Sequence, residues 1–180
     1  MNVWGLLLKC AGWKVKITVP YRNKAVICVA PHTSNWDFIV GLLAYRSIGR
    51  KAEFLMKKFW FFFPLKYILK SLGGIPVNQN ASRSLTSILI EDFKKYDQLN
   101  LAVTPEGSRS AVQKWRTGFL TIAHNAGVPI QLGIIDFKNK EVLIQQEFKA
   151  SGNNEKDLLE IQEFYSRYKF AAKYPDKFLV

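Results

Sequence analysis

Hydrophobic and polar positions alternate along this chain in two rhythms. Short apolar or alternating runs recur at residues 14–19, 25–30, 53–56, 75–78, 99–104, 129–135 and 142–147, bounded by Gly, Pro or polar residues. Runs of that length predict strands. Apolar positions spaced three and four apart predict helices over 35–48, 82–95, 118–125 and 155–174. Strands and helices alternate through the middle of the chain. That order predicts a single α/β domain with a mostly parallel central sheet flanked by helices. The central runs show little polar alternation, as expected of strands covered on both faces. The run at 142–147 follows a turn-like Lys138-Asn139-Lys140, so antiparallel pairing at a sheet edge is expected for it.

Length agrees with one domain. A chain of 180 residues buries roughly 70% of its unfolded surface and needs no disulfide or metal to hold it together. Residues 14–180 are read as that domain, and 1–13 as an apolar N-terminal segment. The segment is too short to span a bilayer, which takes about 20 apolar residues. It also lacks the charge order and cleavage site of a signal peptide. Two readings remain for it: a helix packed on the domain, or an interfacial anchor with Trp4 and Trp13 at headgroup depth. A second stretch, from Lys57 through Phe59-Trp60-Phe61-Phe62-Phe63 to Lys70, mixes aromatics with lysines. It suits a membrane interface or the mouth of an apolar channel, or else a core face backed by solvated lysines.

Composition sharpens the picture at two points. Lys and Arg total 26 against 14 acids, a net charge of +12, which favours a polyanionic partner such as nucleic acid or an anionic lipid surface. The only cysteines, Cys10 and Cys28, have no metal-ligand spacing and fit a reducing compartment.

The candidate chemistry sits at predicted strand ends. His32 follows the strand at 25–30, and Asp37 falls in the first turn of the helix that starts near Ser34 or Asn35, where the dipole favours a carboxylate. From there Asp37 can accept an imidazole N–H, fix the tautomer and free the other ring nitrogen as a base. The chain has no Gly-x-Ser-x-Gly elbow, so such a base would activate a hydroxyl or amine on a substrate. Glu106-Gly107-Ser108-Arg109 follows another strand. Arg109 offers a planar fork for phosphate or carboxylate, Gly107 a close backbone approach, Ser108 a hydroxyl, and Glu106 a carboxylate for Arg109 or a substrate hydroxyl. Gly73-Gly74 precedes the strand at 75–78, and Gly127-Val128-Pro129-Ile130 stops a helix and opens a strand. His124, inside the preceding helical pattern, has no acid nearby and reads as structural.

Taken in order, His32…Asp37, Gly73–Asn78, Glu106–Arg109 and Val128–Ile130 resemble the four motif blocks of the glycerolipid acyltransferase family, whose type member acylates 1-acylglycerol-3-phosphate. The match spans roughly residues 25 to 135. The resemblance implies a glycerol-3-phosphate acyltransferase-like α/β fold and direct attack of a lysolipid hydroxyl on an acyl thioester, with His32 as base and Asp37 as its orienter. It implies Glu106, Gly107, Ser108 and Arg109 on the acceptor's polar head, with Gly74 and Lys57 as further binding candidates. The family's second block usually ends in an arginine, where this chain has Gln79; Arg83 lies four residues on as a substitute. Acyl-CoA or acyl carrier protein would be the co-substrate, with no metal and no other cofactor. The implied partner is membrane lipid and not nucleic acid, and the implied location the cytoplasmic face of a membrane, with peripheral or monotopic attachment. Two alternatives stay open: an acyl-thioester hydrolase using the same dyad, and a non-catalytic basic module that binds lipid or nucleic acid.

Overall fold

The computed structural model describes residues 2–77 and 84–180. Within them the chain forms a seven-stranded sheet with the order β1-β7-β6-β2-β5-β3-β4. The strands are β1 (Lys14–Ile17), β2 (Lys24–Val29), β3 (Glu53–Lys57), β4 (Gly74–Val77), β5 (Leu99–Val103), β6 (Ile130–Asp136) and β7 (Glu141–Phe148). The helices are α1 (Val3–Cys10), α2 (Asn35–Ser47), α3 (Leu65–Leu72), α4 (Leu85–Lys95), α5 (Gly118–Ala126) and α6 (Asn154–Ser166). Neighbouring strands run parallel except β6 and β7. This is the α/β architecture that the alternation of patterns predicts.

β2 explains why the centre of the sheet is buried. Its residues are apolar on both faces, and Ala25 to Cys28 are at most 3% exposed. Val26 and Cys28 join Leu101, Leu132, Phe93 of α4, Leu120 of α5 and Tyr165 of α6 in the larger core. Ile27 points the other way, towards Tyr45 of α2 and Ile144. Leu8 of α1 with Val40 and Ala44 of α2 continue that second layer over Ile135 and Val142. α1 is therefore a helix packed on the domain, yet Val3, Leu6 and Leu7 on its outer side remain exposed.

Helix ends obey local chemistry. Ser34 caps α2 in a capping box, its side chain accepting from the helix backbone while Asp37 at the third position accepts the Ser34 N–H. Gly73 ends α3 in the left-handed region at φ 101°, and Gly127 ends α5 at φ 65°. A side chain on Gly73 would also strike the Ala52 carbonyl oxygen at 2.6 Å.

Several details depart from the sequence reading. β7 pairs antiparallel as expected but is not an edge, because β1 lies outside it in parallel register from Lys14 opposite Glu141 to Ile17 opposite Ile144. The aromatic stretch after Lys57 contains a helix, α3, that its mixed composition hides. The last helix stops at Ser166 instead of 174. Beyond it the chain folds back on the sheet, and the Ala171 carbonyl accepts from the N–H of Phe137, just after β6, at 2.8 Å. The expected start of α4 at Ser82 and the end of β4 at Asn78 lie outside the described residues.

Tyr165 ties the layers together. Its hydroxyl donates to the Cys28 carbonyl at 2.6 Å and lies 3.3 Å from that of Gly133, so one buried side chain bridges β2 and β6. Phe178, 1% exposed, fills the same core against Trp115. Tyr165→Phe should cost about 1–2 kcal/mol through the lost buried hydrogen bond. Phe178→Ala should cost about 3–5 kcal/mol through lost transfer energy and the cavity left behind. Urea unfolding measures both. Tyr165→Phe with a wild-type midpoint would remove the hydroxyl from this account.

Candidate active site

β2 and β5 are adjacent and parallel, with Cys28 opposite Val103. Both chains therefore leave the sheet at the same rim, the carboxyl end where open α/β sheets place ligands. His32 follows β2 and Glu106 follows β5, and the two meet although they are 74 residues apart.

Asp37 is the hub of this rim. The residue is 3% exposed, and its Oδ2 accepts the backbone N–H groups of Thr33 and Ser34, each at 2.8 Å. The same oxygen lies 3.1 Å from His32 Nδ1. A carboxylate oxygen can only accept, so Nδ1 carries the proton and Nε2 is left with its lone pair. The imidazole keeps 16% of its surface accessible. This is the geometry expected of the His32–Asp37 pair, set up by α2 beginning two residues before Asp37.

Glu106 differs from its expected place on the acceptor's head. It is 4% exposed, and its Oε1 accepts the backbone N–H of His32 at 2.7 Å. Burial, and secondarily the Asp37 charge, push its carboxyl up to about 7 against the opposing pull of the His32 N–H. Glu106 thus holds the loop that carries His32. Arg109, by contrast, is exposed and donates to the Asn35 side chain at the start of α2. Ser108 is half-buried, its hydroxyl accepting the Ser110 N–H at 3.1 Å. Gly107 sits at φ 63°, and a Cβ there would fall 2.5 Å from Arg116 Nε. The left-handed backbone favours glycine at that spot, and the flexible Arg116 side chain lies across it.

The other expected residues separate. Lys57 ends β3 at the same rim and is exposed. Gly74 opens β4 at the opposite, amino end, where a Cβ would meet the Leu69 carbonyl oxygen at 2.9 Å; its close approach is to the protein's own backbone. Gln79 and Arg83 lie outside the described residues. Burial holds the Cys28 thiol well above its ordinary value, which leaves it a poor nucleophile. Among the described residues no group of three His, Cys, Asp or Glu side chains is placed to hold a metal ion. His124 is at the far rim, its Nδ1 3.3 Å from the Ala150 carbonyl oxygen. There it lines a separate cavity of about 770 Å³ with Arg22 and Glu147.

Beside the dyad lies a cleft of about 360 Å³ lined by Thr33, Ser34, Asn35, Trp36, Arg109, Tyr174 and Lys177. Tyr174 and Lys177 escape sequence reasoning, as does Arg116, because nothing in their neighbourhood marks a site. Only the turn of the chain after α6 brings Tyr174 and Lys177 there.

A model of the acyltransferase family matches residues 14–132, well over half of the chain. The chain belongs to the acyltransferase family. The matched span runs from β1 into β6 and contains His32, Asp37 and the Glu106–Arg109 block. No curated protein sequence matches the chain.

Glu106 gives this rim a pH signature. Its folded value, about 7, lies above its ordinary 4.5. The folded state therefore binds the extra proton, and the associated stability is full below about 4.5 and lost as pH rises through about 7. Glu106→Gln should flatten the decline of unfolding free energy across that window, an effect on the order of 3 kcal/mol. Urea unfolding from pH 4.5 to 8 reads it. Parallel curves for variant and wild type would show a carboxyl that does not titrate there.

Proposed function

We propose that this acyltransferase moves a fatty acyl group from an acyl thioester, on coenzyme A or acyl carrier protein, to the hydroxyl of a lysolipid such as 1-acylglycerol-3-phosphate. The observation that carries the reading is the His32–Asp37 pair: Nδ1 held at 3.1 Å by a buried carboxylate, with no serine or cysteine among the described residues hydrogen-bonded to Nε2. A base without a protein nucleophile acts on the acceptor itself. His32 Nε2 takes the hydroxyl proton as the oxygen attacks the thioester carbonyl. The tetrahedral intermediate collapses with cleavage of the C–S bond, and the imidazolium returns its proton to the departing thiolate. Thioesters are activated, so positioning and one base cover most of the task.

Attachment to a membrane belongs to the same proposal. No helix among the described residues is long and apolar enough to cross a bilayer. Exposed apolar side chains nevertheless gather on α1 (Val3, Leu6, Leu7) and around α3 (Phe59, Phe63, Tyr67, Ile68). Arg46 of α2 links the two regions, its guanidinium over the Trp4 ring at 5.9 Å and donating to the Ser71 carbonyl at 3.0 Å. Aromatic and aliphatic side chains beside Lys57, Lys58 and Lys66 fit monotopic docking on anionic lipid.

Two experiments test these statements. Purified protein incubated with labelled acyl thioester and a panel of lysolipids should form acyl lipid, and His32→Ala should lower the rate by roughly 10²–10⁴-fold. Free fatty acid as the sole product would favour a hydrolase, and unchanged turnover by His32→Ala would end the base assignment. Separately, wild type should sediment with vesicles containing anionic lipid, whereas Leu6→Asp/Leu7→Asp and Phe59→Asp/Phe63→Asp should stay in the supernatant. Sedimentation equal to wild type in both pairs would make these residues ordinary surface.

A further inference from the structure

We infer that the segment after α6 completes the active site, Lys177 and Tyr174 joining Arg109 to form a subsite for the phosphate of the acceptor's head group. The inference deepens the proposed lysolipid acyl transfer and rests on it.

The segment is firmly placed. Phe178 is buried in the main core, Ala171 and Ala172 are each 6% exposed, and the Ala171 carbonyl accepts from Phe137. Between these anchors the Tyr174 N–H donates to Thr33 Oγ1 at 3.2 Å. Thr33 in turn gives its own N–H to Asp37. The strap and the dyad thus share one residue, and Lys177 sits next to the buried Phe178 that fixes its backbone.

The cleft this creates is polar and cationic. Its walls present the Arg109 guanidinium, the Lys177 ammonium and the side chains of Thr33, Ser34, Asn35 and Tyr174, with no carboxylate among the lining residues. Lys177 Nζ rests 4.7 Å from the Tyr174 ring centroid. Lys173, which does not line the cleft, holds its Nζ 5.2 Å from the Trp36 ring centroid. Asp176, on the same strap, is exposed and does not line the cleft. At about 360 Å³ the space lies near the bottom of the roughly 300–1,000 Å³ usual for small ligands. It fits a head group and lacks the apolar walls an acyl chain needs. Four of its lining residues, Thr33 to Trp36, form the stretch between His32 and Asp37, so an anion held there sits against the loop that carries the dyad. A guanidinium fork and an ammonium converging from two loops suit a phosphate carrying up to two negative charges. Lys177 and Tyr174 lie beyond the span 14–132 that the family model matches.

The test has a binding arm and a turnover arm. In the first, saturation-transfer NMR on the full chain should detect sn-glycerol 3-phosphate but not glycerol. Lys177→Ala should weaken that binding about tenfold, as expected for one charge-assisted hydrogen bond. Lys177→Arg should restore it. Lys95→Ala, which removes the same charge at the amino-end rim, should leave it unchanged and so control for long-range attraction. In the second, Lys177→Ala should raise KM for a phosphorylated lysolipid about tenfold while KM for the acyl thioester stays put. Equal losses in Lys177→Ala and Lys95→Ala, a shift confined to the thioester's KM, or glycerol 3-phosphate binding indifferent to Lys177 would each overturn the subsite. Absence of acyl lipid with wild type would defeat the proposed reaction instead, and the binding arm would still decide whether the cleft takes phosphate.

Discussion

A single buried carboxylate organises the reactive rim. Asp37 sits in the first turn of α2, where backbone N–H groups have no helical partner, and collects those of Thr33 and Ser34 as well as the His32 ring. Taking a carboxylate out of water is costly unless donors surround it. Here the donors are the loop that has to be shaped. The interactions that make Asp37 tolerable in the interior are therefore the ones that define the path of the chain from β2 into α2 and fix the imidazole's tautomer. Removing the carboxylate would leave three N–H groups short of a partner at once.

The sheet supplies what local sequence cannot. Strand order places β5 beside β2, so the loop after Val103 runs against the loop after Val29. Glu106 then closes over the His32 N–H from the opposite side to Asp37. The base-bearing loop is clamped between two acids of unlike character. One accepts three N–H groups; the other accepts one among the described residues and is pushed toward its neutral form by burial. Such unequal surroundings let two carboxyls coexist within one rim without both being charged.

How much of this is readable in advance follows the range of the interactions. The apolar runs of β2 and β6 and the Ser34–Asp37 capping pattern are local, and the chain states them directly. The four motif blocks, taken in order, give the family, though each is weak alone. The placement of β1 outside β7 is a choice of register between distant strands, and neither sequence run announces it. α3 is masked by lysines and aromatics that face solvent on its exposed sides. Glu106 looks like any loop acid next to an arginine; only the β2–β5 neighbourhood turns it inward. The helical periodicity around 155–174 carries on in the apolar spacing past Ser166, where the chain instead turns so that Ala171 and Phe178 are buried in the core.

Burial also sorts the charges at this site. Both acids, Asp37 and Glu106, are under 5% exposed, and each turns one oxygen, Oδ2 or Oε1, onto the protein's own N–H groups. The cations nearby, Arg109, Lys173 and Lys177, reach solvent or the cleft. The cations thus lie outward of the two acids, which are turned into the protein. The low-dielectric loop lets Asp37 act on His32 at short range, whereas solvent screens its charge at the mouth of the cleft. The burial that fixes the His32 ring against Asp37 from behind thus leaves Arg109 and Lys177 on the cleft side. A net charge of +12 gives the whole molecule a long-range field in the same sense, strongest toward polyanions at low salt.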